Sequence, residues 1–206
     1  DLSALARADD AVALRDGWRR ALDALRPGGG PDALDPGACR ARADLTDRLV
    51  TAALDASGAG QVVTCVALGG YGRRELAPAS DVDLLLLRLT SSPEDAERVE
   101  ALVRRLWDAG AHVGHAVRTV DGVAQSLARD LTAATATLEG RYVAGPTEGF
   151  HRIRDVVARF LASDRDRFVR AKLAEADERH RARGDTVLLL APDLKAGRGT
   201  GRDLQL

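Results

Sequence analysis

The chain has 206 residues and a formal net charge of −1, from 30 lysines and arginines against 31 aspartates and glutamates. That balance excludes a polyanion binder driven by bulk charge and leaves room only for a local basic patch. Hydrophobic residues make up 45%, a globular composition with enough apolar material for a core, and no apolar run approaches the roughly 18 residues of a membrane span.

The start, Asp1-Leu2-Ser3-Ala4, carries neither the basic region nor the apolar stretch of a secretory signal. Methionine is absent, even at position 1, so a processed chain or an excised fragment is expected. The two cysteines, Cys39 and Cys65, are too few for a disulfide framework. They read as free buried thiols, and the reducing cytoplasm is the expected location.

In chain order, Leu5, Val12, Leu14, Trp18, Leu22 and Leu25 recur at helical spacing and predict a helix over Ala4–Leu25. Pro27-Gly28-Gly29-Gly30-Pro31 ends it. A second helix is predicted from Ala38 to Ala56, closed by Ser57-Gly58-Ala59-Gly60. Val62–Leu68 is a short continuous apolar run flanked by glycine and reads as a buried strand. Val82–Leu89 reads as a second strand. The glycine-rich stretch from Gly69 to Ser80 between them is too polar for core.

Pro93 opens a helix to Ala109 with Val99, Leu102, Val103 and Leu106 inward. A third strand follows over His112–Val120. Asp130 caps a helix running to Tyr142, and Gly145-Pro146 marks a boundary. Two helices are predicted beyond it, His151–Leu161 and Asp164–Arg183. Ser163 and Asp164 read as a capping box between them, and Gly184 as the stop. Thr186–Ala191 reads as a strand, and 195–202 as a basic, glycine-rich loop. Trp18 and Trp107 are expected in the core, and so is His115. The expected organisation is a helical segment over 1–58, an α+β core over 59–145 and a helical segment over 146–206.

The stretch with chemistry runs from Leu68 to Leu87. Side chains alternate along a strand, so Asp81 and Asp83 fall on one side of the second strand, with Cα atoms roughly 6–7 Å apart. Two neighbouring carboxylates repel each other and lose solvation. A divalent cation offsets both costs, and hard oxygen donors favour Mg²⁺ or Mn²⁺. Such a pair can clamp the attacking and leaving oxygens of a phosphoryl centre. Gly69 and Gly70 lack side chains, so backbone N–H groups there can approach a triphosphate, and the Ser80 hydroxyl can join them. Arg73 and Arg74 can neutralise phosphate charge or pair with Glu75. Lys195, Arg198 and Arg202 suit a triphosphate tail. The predicted third strand carries no third carboxylate, and no P-loop or dinucleotide-binding glycine pattern is present.

This order resembles the PII uridylyltransferase/uridylyl-removing enzyme family. Residues Gly69-Gly70-Tyr71-Gly72-Arg73-Arg74-Glu75-Leu76-Ala77-Pro78-Ala79-Ser80-Asp81-Val82-Asp83-Leu84-Leu85 match every fixed position of its G-G-Y-G-R-x-E-L-x-P-x-S-D-[IV]-D-L-L pattern. Leu106-Trp107-Asp108-Ala109-Gly110 and Val113-Gly114-His115-Ala116-Val117-Arg118-Thr119 are similar to its L-W-D-x-G and V-G-H-S-V-R-T segments. Lys195 through Gln205 resembles its K-x-x-x-G-G-L-R-D-[IL]-Q segment, with Thr200 and Gly201 where that pattern has glycine and leucine. The resemblance implies a polymerase-β-like nucleotidyltransferase fold, with a small mixed sheet flanked by helices. It implies transfer of UMP from UTP, or AMP from ATP, to a tyrosine of the PII nitrogen-signalling protein. Asp81 and Asp83 would hold Mg²⁺ or Mn²⁺, and Gly69, Gly70, Ser80, Arg73 and Lys195 the nucleotide. The chain then reads as an N-terminal transferase fragment without the family's phosphohydrolase and ACT domains. Two alternatives remain: a glutamine synthetase adenylyltransferase-like enzyme, and a non-catalytic nucleotide-binding regulatory module.

Overall fold

Local chemistry starts several of the helices where the sequence carries its signal. The Asp35 carboxylate accepts from the N–H groups of Gly37 and Ala38 at 2.8 and 3.1 Å. Pro36 then opens α2 (Pro36–Ala56), at the position where its missing N–H costs nothing. Ser92 caps α4 (Pro93–Asp108) in the same way, through the Asp95 N–H. The computed structural model describes residues 11–25, 35–90, 92–186, 193 and 195–204. The expected break at 27–31, the expected strand over Thr186–Ala191 beyond Thr186, and Gln205 lie outside them.

Within the described residues the chain is α+β. The order is α1 (Ala11–Ala24), α2, β1 (Val63–Ala67), α3 (Gly69–Gly72), β2 (Val82–Arg88), α4, β3 (Val113–Arg118), α5 (Val120–Arg129), α6 (Leu131–Leu138), β4 (Arg141–Ala144), α7 (Thr147–Ala182) and α8 (Gly201–Leu204). The strands form one mixed sheet in the order β3-β2-β1-β4. β1 pairs antiparallel with both β2 and β4, while β2 and β3 run parallel. Tertiary contacts divide the chain into two units, Asp1–Val157 and Ala158–Leu206.

In the first unit, alternation along the strands sends Val63, Cys65 and Ala67 of β1 and Val82, Leu84 and Leu86 of β2 to one face. There they join Leu14 and Trp18 of α1, Leu49 and Val50 of α2, and Leu102 and Leu106 of α4 in one buried cluster. Cys39 and Cys65 are both buried and free, as the sequence predicts. Burial pushes the Cys65 thiol up to about 12. Gly145 closes the turn after β4 with φ +89°, and a Cβ there would stand 2.0 Å from the Val63 carbonyl oxygen, so no side chain fits.

In the second unit, Phe160 and Ala176 of α7 are buried with Ala196. Asp203 accepts from the Gly199 N–H at 2.6 Å, from Arg179 at 2.8 Å and from His180 at 2.9 Å. These bonds, the backbone one first, hold its carboxyl down at about 2. Gly184, with φ +82°, follows the end of α7 as expected.

Several expectations are overturned. Residues 147–182 form one helix, not two. Ser163 does not cap a new helix; its hydroxyl donates back to the Arg159 carbonyl at 3.1 Å and to Asp164 at 2.7 Å. The helix expected to reach Tyr142 stops at Leu138, and Arg141–Ala144 becomes edge strand β4. The third strand ends at Arg118, and α5 follows it, capped by the Thr119 hydroxyl accepting from Gly122. Trp107 is 54% exposed rather than in the core, and His115 is exposed as well. Among the described residues no helix is long and apolar enough to cross a membrane.

Candidate functional site

The end of β1 builds the site's first wall. The Leu68 N–H donates to the Asp83 carbonyl at 2.9 Å, which keeps β1 and β2 paired up to the turn. Gly69 then takes φ +54°, a conformation disfavoured for any residue with a Cβ. The chain winds into the single turn α3, with the Gly72 N–H donating to the Leu68 carbonyl at 2.8 Å. Gly72 is as constrained by space as Gly69 is by torsion. A Cβ on it would meet the carbonyl oxygens of Glu139 and Ala67 at 2.8 and 2.9 Å.

Tyr71 anchors that turn from below. Its ring is buried and its hydroxyl donates to Asp47 at 2.6 Å. Burial raises the phenol well above its ordinary value, and the Asp47 charge adds to that. Arg141 of β4 donates to both Asp47 oxygens at 2.8 and 3.0 Å, and to the Tyr71 and Gly72 carbonyls at 3.3 and 3.2 Å. Its guanidinium lies 5.3 Å from the Tyr71 ring centroid. One carboxylate on α2 and one guanidinium on β4 therefore hold the diglycine turn by side chain and backbone at once.

β2 supplies the acids. Asp81 and Asp83 are exposed while Val82 between them and Leu84 beyond are buried, the alternation of a strand with one face in the core. The Asp83 carboxylate sits between two glycines. A Cβ on Gly69 would stand 3.3 Å from one of its oxygens, and a Cβ on Gly114 of β3 would stand 2.9 Å from the other. The parallel register pairs Asp83 with Gly114 directly. Asp81 borders two hollows. One of about 440 Å³ is also lined by Trp18, Arg42, Leu76, Ser80 and His112. The other, of about 500 Å³, is also lined by Trp107, His112 and Gly114.

Two hard-oxygen carboxylates beside space that glycines keep clear are a donor set that suits a divalent cation. Among the described residues no group of three or more His, Cys, Asp or Glu side chains forms a metal cage. Any cation at Asp81 and Asp83 would complete its shell with water and phosphate oxygens, as Mg²⁺ commonly does.

The expected site residues divide. Gly69, Gly70, Ser80, Asp81 and Asp83 lie along the β1–β2 connection at one end of the sheet. Arg73 pairs with Glu75 at 2.8 Å and Glu139 at 2.5 Å. Arg74 pairs with Asp44 at 3.3 Å. Lys195 is exposed in the second unit, where its backbone N–H donates to Asp193 at 3.0 Å, and Arg198 pairs with Asp185. Asp47, Gly114 and Arg141 were not anticipated as site residues. Gly114 had a signal, a glycine inside a strand, which marks close approach by another group. Asp47 and Arg141 are 94 positions apart and had none.

A family described as GlnD PII-uridylyltransferase matches residues 167–206. The chain is 46% identical over 174 residues, 84% of its length, to a bifunctional uridylyltransferase/uridylyl-removing enzyme of Azospirillum brasilense. Enzymes of the same name from Rhodospirillum rubrum and Zymomonas mobilis are each 42% identical, over 70% and 78% of this chain. These matches span 18%, 16% and 18% of the respective relatives, so the chain corresponds to less than a fifth of their length. Over that shared stretch, the chain is similar to bifunctional uridylyltransferase/uridylyl-removing enzymes.

Proposed function

We propose that this chain is the nucleotidyl-transferring part of a longer cytoplasmic enzyme, and that it moves UMP from UTP to a tyrosine of a PII signal protein. The observation that carries the reading is the Asp83 carboxylate, set between Gly69 and Gly114 beside Asp81 at the opening of β2. A diglycine turn after one strand and an Asp-x-Asp at the head of its antiparallel neighbour support a polymerase-β-like nucleotidyltransferase fold. The names of the relatives favour UTP over ATP.

In this reading Asp81 and Asp83 hold Mg²⁺ or Mn²⁺. The bound ion would neutralise charge building on the phosphates. The Gly69-Gly70 backbone cradles the triphosphate, with the Ser80 hydroxyl beside it and Arg73 as a further phosphate partner. The acceptor tyrosine oxygen forms a bond to the α-phosphorus as the bond to the pyrophosphate oxygen breaks, and the phenol proton passes to solvent. Asp47 and Arg141 touch no reacting atom and keep the diglycine turn at its distance from Asp83.

Calorimetric titration with UTP, with and without Mg²⁺, tests the proposal. Binding is expected to require the cation and to weaken at least tenfold in the Asp81→Asn/Asp83→Asn double variant. UTP binding indifferent to both Mg²⁺ and the double substitution would instead favour a regulatory nucleotide-binding module. Labelled transfer by the longer enzyme, offered PII and glutamine synthetase in parallel, separates the two acceptors.

A further inference from the structure

The hollow bordered by Asp81 and Trp107 carries an exposed aromatic ring. Trp107, at the end of α4, is 54% exposed. Among the described residues, Trp18, Tyr71 and Phe160 are buried and Tyr142, Phe150 and Phe168 half-buried, so Trp107 alone among the large aromatics faces water. It meets His115 edge to face, with ring centroids 5.8 Å apart and planes at 65°, a contact that steadies the indole. Trp107, His112, Gly114 and Asp81 line the same hollow of about 500 Å³, within the ~300–1,000 Å³ range of small-ligand pockets. The ring therefore shares this hollow with Asp81, near β3, the edge strand of the sheet.

In-line displacement assigns that side. The entering and leaving oxygens must lie on opposite sides of the phosphorus. With the triphosphate on the diglycine turn, pyrophosphate departs on the Gly69 flank of Asp83. The nucleophile then arrives on the other flank, toward Gly114 of β3, which stands against the Asp83 carboxylate. Gly114 also lines the hollow with the exposed indole.

We propose that the hollow between Asp81, Gly114 and Trp107 receives the acceptor's own aromatic side chain, a tyrosine ring stacked on Trp107 with its hydroxyl directed past Gly114 to the phosphorus. The inference rests on the transfer reading above and adds to it the place where the acceptor residue binds. Trp107 acts by stacking and takes no proton.

The chain's two tryptophans make the test direct. Chain labelled with 5-fluorotryptophan gives separate ¹⁹F resonances for Trp18 and Trp107, assigned with Trp107→Phe. The probe is N-acetyl-L-tyrosinamide, added in the presence of Mg²⁺ and α,β-methylene-UTP, which cannot transfer its nucleotidyl group. The Trp107 line is expected to shift while that of buried Trp18 stays. By calorimetry, Trp107→Ala is expected to weaken the tyrosinamide roughly three- to tenfold, Trp107→Phe to restore most of the affinity, and neither to change nucleotide affinity. A Trp107 shift produced by the nucleotide alone, with nothing added by the tyrosinamide, overturns the proposal and gives the hollow to the base. An equal shift with N-acetyl-L-leucinamide, or none with either amide while Mg²⁺-dependent nucleotide binding persists, also overturns it and leaves the transfer reading standing. Absence of Mg²⁺-dependent nucleotide binding removes the transfer reading and this inference with it.

Discussion

Replacing Gly114 by alanine is expected to damage the site without damaging the fold. The new Cβ would lie 2.9 Å from an Asp83 carboxylate oxygen, where a carbon–oxygen contact settles at about 3.3–3.6 Å. The carboxylate must therefore retreat by about half an ångström or rotate. Asp83 is exposed, so a rotation of its side chain keeps the strain away from the core. Gly114 is not among the glycines with positive φ, so alanine suits its backbone, and its lower unfolded-state entropy is worth about 0.4–1 kcal/mol. Thermal unfolding should stay level or rise slightly. The site should pay instead, because a misplacement of about 1 Å costs on the order of 10²-fold in a preorganised centre. A shift half as large is then expected to cost roughly tenfold in Mg²⁺-dependent UTP affinity or transfer rate. Calorimetry and differential scanning on the same preparation decide it. Unchanged Mg²⁺–UTP binding would show that the Asp83 position against β3 does not matter. A stability loss above about 2 kcal/mol would show that Gly114 is structural.

Four further outcomes follow from the geometry. Arg141→Ala should lose roughly 1–3 kcal/mol in urea unfolding, since Asp47 and two turn carbonyls lose their donor in a half-buried setting; a neutral result would deny that β4 braces the diglycine turn. Gly145→Ala should cost more than about 3 kcal/mol and prevent soluble expression at 37 °C, because a Cβ there meets the Val63 carbonyl oxygen. Cys65, buried and with its thiol pushed up to about 12, should resist iodoacetamide at pH 8 in the native chain and react fully in urea; labelling of native Cys65 would refute its burial. Asp203 is held below its ordinary value, so its contribution to stability is complete above about pH 4 and is lost as pH falls through about 2. Asp203→Asn should remove that acid-induced loss in a circular-dichroism titration, and an identical acid transition in the variant would refute the assignment.

Much of the site was legible in the sequence because its parts are close together along the chain. Gly69, Gly70, Ser80, Asp81 and Asp83 fall between two apolar runs, and the observed strands Val63–Ala67 and Val82–Arg88 lie inside the predicted ones. Alternation alone put both acids on the side of β2 opposite Val82 and Leu84. The cap at Asp130 and the stop at Gly184 were local signals, and each operates as expected.

Other features were decided only when distant segments met. Arg141–Ala144 is four residues long with mostly half-buried side chains; it is a strand because β1 offers an open edge, not because of its own pattern. Ser163-Asp164 has the residues of a helix start, yet the helix continues, and Phe160 and Phe168 meet edge to face across that point at 5.7 Å. Trp107 follows buried Leu106, and one residue turns a helix by 100°, which carries the indole off the core face and beside Asp81. Side-chain spacing told which residues could meet a phosphate. The parallel register of β2 and β3 and the Asp47–Arg141 pair decided how the Asp83 carboxylate and the diglycine turn are held, because contacts between segments far apart in sequence exist only once the sheet has closed.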